Sequence, residues 1–210
     1  MIRIVIADDH AIVRKGLRQI LADEGGPMVI EEASNGQELL HKVRERRFDL
    51  VLLDISMPGR DGLEVLKILR ADFPKLPVLI LSVHREEEFA VRALRAGASG
   101  YLTKASAPDE LVSAIRKVLA GKKYISATLA ERLADVLSVD FDRPAHTALS
   151  DREYQVFCMI ARGRTTRQIG EELALSEKTV GTYRTRILRK MGMKTNAEII
   201  RYSVQGGLTE

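Results

Sequence analysis

The chain has 210 residues, enough for one large domain or two small ones, and 45% are apolar, a content that supports a packed core and argues against disorder. No apolar run approaches the roughly 18 residues needed to span a bilayer, and Met1-Ile2-Arg3-Ile4 lacks the features of a secretory signal, so a soluble, cytoplasmic protein with no membrane partner is expected. The net charge of +4 sits at one end: residues 148–210 hold 11 Lys or Arg against 7 Asp or Glu, while the first 147 hold 22 of each sign.

In chain order, short β-branched and apolar runs at 2–7, 28–33, 50–54, 77–82 and 100–103 read as strands. Between and after them, helical spacing of apolar residues predicts helices at 11–23, 36–44, 62–72, 86–96 and 108–120, the last with Pro108 in its first turn. Five repeats of strand then helix predict an α/β fold, a doubly wound parallel sheet. The near-continuous apolar strands at 50–53 and 78–81 fit burial on both faces. In the flavodoxin-like order the first and third strands lie side by side at the switch point.

From Gly121 the pattern changes. Residues 126–137 read as one more helix, and 138–148, with Asp140, Asp142 and Pro144, as a tether. Four short helices follow, at about 151–161, 166–173, 177–191 and 196–205. Ser150 with Glu153 forms a capping box for the first, and Ser176 caps the third. Cys158, the one cysteine, lies in a helical apolar pattern and reads as a core thiol. The division is thus 1–121, a linker at 122–147, and 148–210.

The chemistry-bearing residues of the first part follow strand ends. Asp8-Asp9 follow the first strand, Asp54 ends the third, Ser82 the fourth, and Lys104 follows the fifth. Open parallel sheets bind ligands outside those carboxyl ends, so three carboxylates, a hydroxyl and a lysine converge. Magnesium takes oxygen ligands and keeps one or two carboxylates; Asp9 and Asp54 can ligate it directly and Asp8 through water. Phosphoryl transfer to Asp54 then needs positioning and charge neutralisation, with Lys104 and Ser82 covering further oxygens.

Asp8-Asp9, the segment from Leu53-Asp54 through Ser56-Met57-Pro58-Gly59, Asp61-Gly62, Ser82, Tyr101 and Lys104 resemble a response-regulator receiver domain over residues 1–121. The resemblance implies phosphotransfer from a sensor histidine kinase to Asp54, the Ser56 backbone carbonyl as a further metal ligand, and Ser82 with Tyr101 as a switch pair. His84, two residues past Ser82, either tunes water access to the acyl phosphate or is simply solvated; His10 starts the first helix.

In the basic part, the helix from Glu177 has an apolar stripe of Val180, Ile187 and Met191, with Tyr183 partly on it. Lys178, Thr182, Thr185, Arg186 and Arg189 lie about half a turn away. Recognition helices read base edges near their N-termini, which nominates Lys178, Thr182 and Thr185. Arg184, Arg186, Arg189 and Lys190 are assigned to phosphates, and Thr179 and Tyr183 complete the expected DNA-contacting set.

The runs Leu149-Ser150-Asp151-Arg152-Glu153, Gln168-Ile169-Gly170-Glu171-Glu172-Leu173 and Leu175-Ser176-Glu177-Lys178-Thr179-Val180 resemble the LuxR-type helix-turn-helix. A receiver followed by this module is the layout of NarL/FixJ-type regulators. Two departures are Gly181, where the family commonly has lysine, and Tyr183, where it commonly has histidine. The resemblance implies double-stranded promoter DNA as partner and a homodimer when phosphorylated, with 196–205 as the dimer contact between DNA-binding domains. Two other readings use the same N-terminal residues. A phosphatase with an aspartyl intermediate typically has a second Asp two residues after the nucleophile, where this chain has Ser56; an unphosphorylated scaffold has no need of Asp9, Asp54, Ser82 and Lys104 together.

Overall fold

A computed structural model of the chain describes every residue except 25, 60, 84–86, 127–129, 131–143 and 209–210. The described residues belong to two compact units, Met1–Asp135 and Val136–Glu210.

In the first unit, β1 (Ile2–Ala7), β2 (Met28–Ala33), β3 (Leu50–Asp54), β4 (Val78–Ser82) and β5 (Gly100–Thr103) alternate with α1 (Ala11–Asp23), α2 (Gly36–Glu45), α3 (Gly62–Asp72), α4 (Glu87–Arg95) and α5 (Ala107–Leu119). All pairings are parallel, in the order β2-β1-β3-β4-β5. This is the doubly wound flavodoxin-like sheet that the strand–helix alternation predicts. Boundaries shift by a residue at several ends; α5 begins at Ala107, with Pro108 still inside the first turn where its missing N–H costs nothing.

Every residue of β3 and β4 is buried. On one face Ile4, Ile6, Leu50, Leu52, Leu79 and Leu81 pack with Leu17 and Leu21 of α1 and with Leu111, Ile115 and Val118 of α5. The alternate residues Val5, Val51, Leu53 and Ile80 point to the other face and are equally buried. There α2 lies against β1 and β2, and α4 against β5. Each large apolar side chain so buried contributes about 1.5–3 kcal/mol.

After α5 the chain returns to the sheet edge: the Tyr124 N–H donates to the Ser99 carbonyl (3.0 Å) and the Tyr101 N–H to the Tyr124 carbonyl (3.1 Å). Most of the helix expected at 126–137, and most of the tether after it, lie outside the described residues, as does His84.

The second unit holds α6 (Asp151–Ala161), α7 (Thr166–Leu173), α8 (Glu177–Met191) and α9 (Asn196–Gln205). Ser150 and Glu153 form the expected capping box, and Thr165 with Gln168 forms a second. Helix α6 is its centre, with Tyr154, Phe157 and Cys158 fully buried, and it packs on α8 and α9. The left-handed Ala174 (φ 51°) turns the chain between α7 and α8, where Ser176 accepts the Thr179 N–H. One segment corrects the sequence reading. The end of the expected tether, Ala145–Ala148, is a 3-10 turn, and its His146 is buried with Nδ1 2.9 Å from the Tyr202 hydroxyl. Four residues are too few to show a periodicity. Among the described residues, no helix is long and apolar enough to cross a membrane.

Candidate functional site

The register of the sheet gathers the expected residues of the first unit. Ala7 pairs with Leu53, which brings Asp8 and Asp54 to the same edge at the switch point. Ser82 pairs with Thr103, and the Lys104 N–H then donates to the Ser82 carbonyl at 2.7 Å. The Lys104 ammonium reaches back across the strand ends to Asp54 Oδ2 (2.7 Å) and Asp8 Oδ2 (2.6 Å). Asp8, Asp54 and Ser82 are fully buried, and Asp9 is partly open, its side chain 26% exposed.

Asp54 is held from both sides, because its Oδ1 accepts the Ser56 N–H at 3.0 Å. That bond brings the Ser56 backbone beside the carboxylate. Burial pushes the Asp54 carboxyl above its ordinary value; Lys104 opposes this and the nearby Asp8 adds to it. Burial alone would lower Lys104, yet Asp54 and Asp8 outweigh it and hold the lysine above its ordinary value. The two directions are compatible: the lysine has two anionic neighbours, whereas Asp54 has one cation and one anion. Lys104 is charged here. Tyr101 is buried at 6% exposure, inside the protein and not a surface ring.

Two residues play a larger part than the sequence indicates. The His10 N–H caps Asp8 Oδ1 at 2.9 Å, and its Nδ1 lies 2.8 Å from Asp9 Oδ1. Arg14, one helical turn on, donates to the Asp8 carbonyl (2.7 Å) and to Glu32 of β2 (3.0 Å), fixing the end of β1. The pairing of Ile6 with Glu32 brings that acid into reach, which no local pattern reveals.

Asp8, Asp9, His10 and Asp54 each offer one ligand atom, all within 4.8 Å of one another. Asp8 Oδ2 is buried against the Lys104 ammonium, and the buried Asp9 Oδ1 has the His10 ring nitrogen beside it. With three clustered carboxylates and one lysine, the negative charge is in excess, which suits a hard divalent cation.

On the second unit, α8 buries Val180, Ile187, Leu188 and Met191 and exposes Lys178, Thr182, Thr185, Arg186 and Arg189. Leu188 joins the apolar stripe read from sequence. Thr179, Tyr183 and Arg184 are half-buried. Two of the basic residues are engaged within the unit. Lys190 Nζ binds Glu153 (2.6 Å) and the Ala148 carbonyl (3.3 Å), and Arg184 Nε donates to Asn196 Oδ1 (2.7 Å). Both are held by contacts within the unit.

Fold and site define a two-part regulator: an α/β unit with an acidic, lysine-bridged sheet edge, and a helix-turn-helix unit with one basic helix face. Residues 4–116 match the response regulator receiver domain, and 147–203 the bacterial regulatory proteins of the luxR family. The chain belongs to the two-component response regulators of the NarL/FixJ type, in which a receiver is joined to a LuxR-type DNA-binding domain. It is 39% identical over 211 residues to the response regulator GacA of Pseudomonas viridiflava, covering 100% of this chain and 99% of that protein. It is 37% identical over 209 residues to the response regulator UvrY of Escherichia coli (strain K12), covering 99% and 96%. Among solved structures, that of the two-component response regulator RcsB in complex with DNA matches with a TM-score of 0.59 and 25% identity, over 96% of each chain.

Proposed function

We propose that this response regulator is phosphorylated on Asp54 by a sensor histidine kinase with Mg2+, and that phosphorylation controls its dimerisation and promoter binding. The observation that carries the reading is Lys104 lodged between Asp8 and Asp54, at 2.6 and 2.7 Å. The division we assign is a receiver at 1–121, a linker at 122–144 and a DNA-binding domain from Ala145 onward, because the turn Ala145–Ala148 packs on that domain through His146.

Asp8, Asp9, Asp54 and the Ser56 carbonyl would hold the magnesium ion. When bound, the ion supplies charge neutralisation for the phosphoryl oxygens. Asp54 is the nucleophile. Its carboxylate oxygen bonds to phosphorus as the bond from phosphorus to the donor's imidazole nitrogen breaks, leaving that electron pair on the donor. Lys104 follows the negative charge from the carboxylate to a phosphoryl oxygen, and the Ser82 hydroxyl donates to another. Ser82 and Tyr101 are the switch pair, so movement at β4 and β5 alters the receiver surface. Turning a mostly-off population mostly on takes about 5.5 kcal/mol of bias, which new hydrogen bonds together with dimer contacts supply. The chemistry is confined to the protein's own phosphotransfer and dephosphorylation, with no turnover of a small substrate.

Lys178, Thr182 and Thr185 would meet base edges, with Thr179 and Tyr183 beside them, and Arg186 and Arg189 phosphates. The RcsB–DNA structure supports promoter DNA as the partner, and a cytoplasmic protein accords with that partner. The exposed Ile200 and Val204 of α9 suit a dimer contact. Intact-mass measurement after acetyl phosphate and magnesium tests the switch. A single phosphoryl adduct is expected on the wild type and none on Asp54→Asn or in chelator; an adduct that survives Asp54→Asn would overturn the assignment.

A further inference from the structure

The opposite edge of the receiver sheet carries two adjoining recesses that the phosphoacceptor chemistry does not use. Asp49, Pro77 and Ser99, which immediately precede β3, β4 and β5, line the first. It has a volume of about 450 Å³ and is ringed by Arg70, Lys75, Lys122 and Lys123. The second, of about 430 Å³, has an apolar wall that includes Phe48 and Phe73, and it shares Asp49, Lys75 and Pro77 with the first. A strand of five residues puts this edge on the order of 15 Å from the Asp54 end. One recess is cationic, four basic groups facing one carboxylate; the other is aromatic and apolar.

Arg70 shows that the cationic recess is not a merely solvated basic surface. Its Nη1 donates to the Pro74 carbonyl at 3.2 Å, but Nε and Nη2 are shut from solvent with no hydrogen-bond partner. Burial lowers its pKa below the ordinary arginine value. Gly97, at φ +98°, gives the arginine stem its place, since a Cβ there would come within 2.8 Å of Arg70 Cδ. Unpaired buried donors are costly, and phosphate oxygens are the acceptors that a guanidinium fork fits best.

We infer that this edge binds a phosphorylated small molecule of the nucleotide class, its phosphates on Arg70, Lys75 and Lys122 and its planar base in the recess walled by Phe48 and Phe73. Both volumes lie in the range of small-molecule pockets. Asp49 stands between the recesses; its Oδ2 accepts the Arg3 N–H at 2.7 Å, leaving Oδ1 to receive a ribose or base donor.

The test is titration of the full-length, unphosphorylated protein with an N-methylanthraniloyl derivative of ATP, read by fluorescence anisotropy. Pyrophosphate and adenosine serve as separate competitors, in the wild type, the Lys75→Glu/Lys122→Glu double variant and Asp54→Asn. Saturable binding is expected, weakened at least tenfold by the double charge reversal and unchanged by Asp54→Asn. Both lysines are exposed, and a thermal melt of the double variant verifies its fold. Pyrophosphate should compete, but less well than unlabelled ATP. Absence of saturation up to about 1 mM, or indifference to the charge reversal, would overturn the site. Equal competition by pyrophosphate would overturn the nucleotide class, and loss of binding in Asp54→Asn would move the ligand to the phosphoacceptor edge. None of these outcomes depends on whether Asp54 is phosphorylated.

Discussion

Asp8 and Asp54 meet across the β1–β3 pairing and share one cation, the Lys104 ammonium, at 2.6 and 2.7 Å. Both carboxylates are fully buried, so a single positive charge balances two anions out of water, with Asp9 close by. The receiver's stability is therefore tied to the charge balance of its site. In chelator, Asp54→Asn, which removes one anion and keeps an oxygen for the Ser56 N–H, should stabilise the first unit by about 1 kcal/mol. Lys104→Met, which leaves the anions unbalanced, should destabilise it by about 3 kcal/mol. Urea unfolding of the full chain with and without magnesium checks this. Magnesium should raise the wild-type midpoint by mass action and that of Asp54→Asn much less.

Gly62 sets the approach of α3 to β3, the strand that ends in Asp54. A Cβ at this position would come within 2.4 Å of the Asp54 carbonyl and 2.6 Å of Ile55 Cα, both backbone atoms that cannot yield cheaply. The Gly62 N–H also donates to the Ile55 carbonyl at 3.1 Å, and Asp61 caps the helix. Gly62→Ala should cost about 1–3 kcal/mol and slow phosphorylation by acetyl phosphate, because it displaces the strand that presents Asp54. Denaturant unfolding and an intact-mass time course measure the two effects.

The sheet and its acidic edge were legible because their signals are local. Apolar runs such as Val78–Ser82 mark strands buried on both faces, and a carboxylate just past a strand end must lie on the carboxyl edge whatever the helices do. The helix Glu177–Met191 was equally legible, since Ser176 caps its start and Val180, Ile187 and Met191 repeat at helical spacing. Pairings between distant residues were not legible. His146 with Tyr202, Lys190 with Glu153 and Tyr101 with Tyr124 each join segments whose own patterns say nothing of the partner. Leu188 joined the core because packing by both α6 and α7 widens the buried face of α8 beyond one stripe.

Gly181 lies inside the recognition helix, and a Cβ added there meets nothing within 4 Å. Glycine costs a helix interior about 1 kcal/mol against alanine, so Gly181→Ala should stabilise the second unit by roughly that amount. It adds no charge and no donor, and DNA affinity should stay within about twofold. Thermal unfolding and a DNA-binding isotherm on the same preparation check both halves.

The arginines of α8 should separate from its last lysine in salt dependence. Arg186 and Arg189 are exposed, and as phosphate contacts each should reduce the slope of log affinity against log salt by about 1 on substitution by alanine. Lys190→Met should leave the slope nearly intact while lowering stability, because its ammonium is held by Glu153 and the Ala148 carbonyl. Binding titrations at several salt concentrations decide between the two roles.

The Glu153–Lys190 pair also gives the second unit an acid-sensitive contact. Burial works to raise the Glu153 carboxyl, but the Lys190 ammonium and the Ser150 N–H outweigh it and hold it below its ordinary value of 4.5. A carboxyl depressed in the folded state stabilises fully above its unfolded pKa and loses that contribution as pH falls through the folded value. Lys190 is 35% exposed, so solvent screening limits the contribution to about 1 kcal/mol. Glu153→Gln keeps an acceptor for the Ser150 N–H and removes only the charge. The wild type should be the more stable protein near neutral pH, and the gap should close as pH drops below about 4.5. Thermal melts of both proteins from neutral pH downward measure it; a gap constant across that range would show that the pair holds the fold by geometry and not by charge.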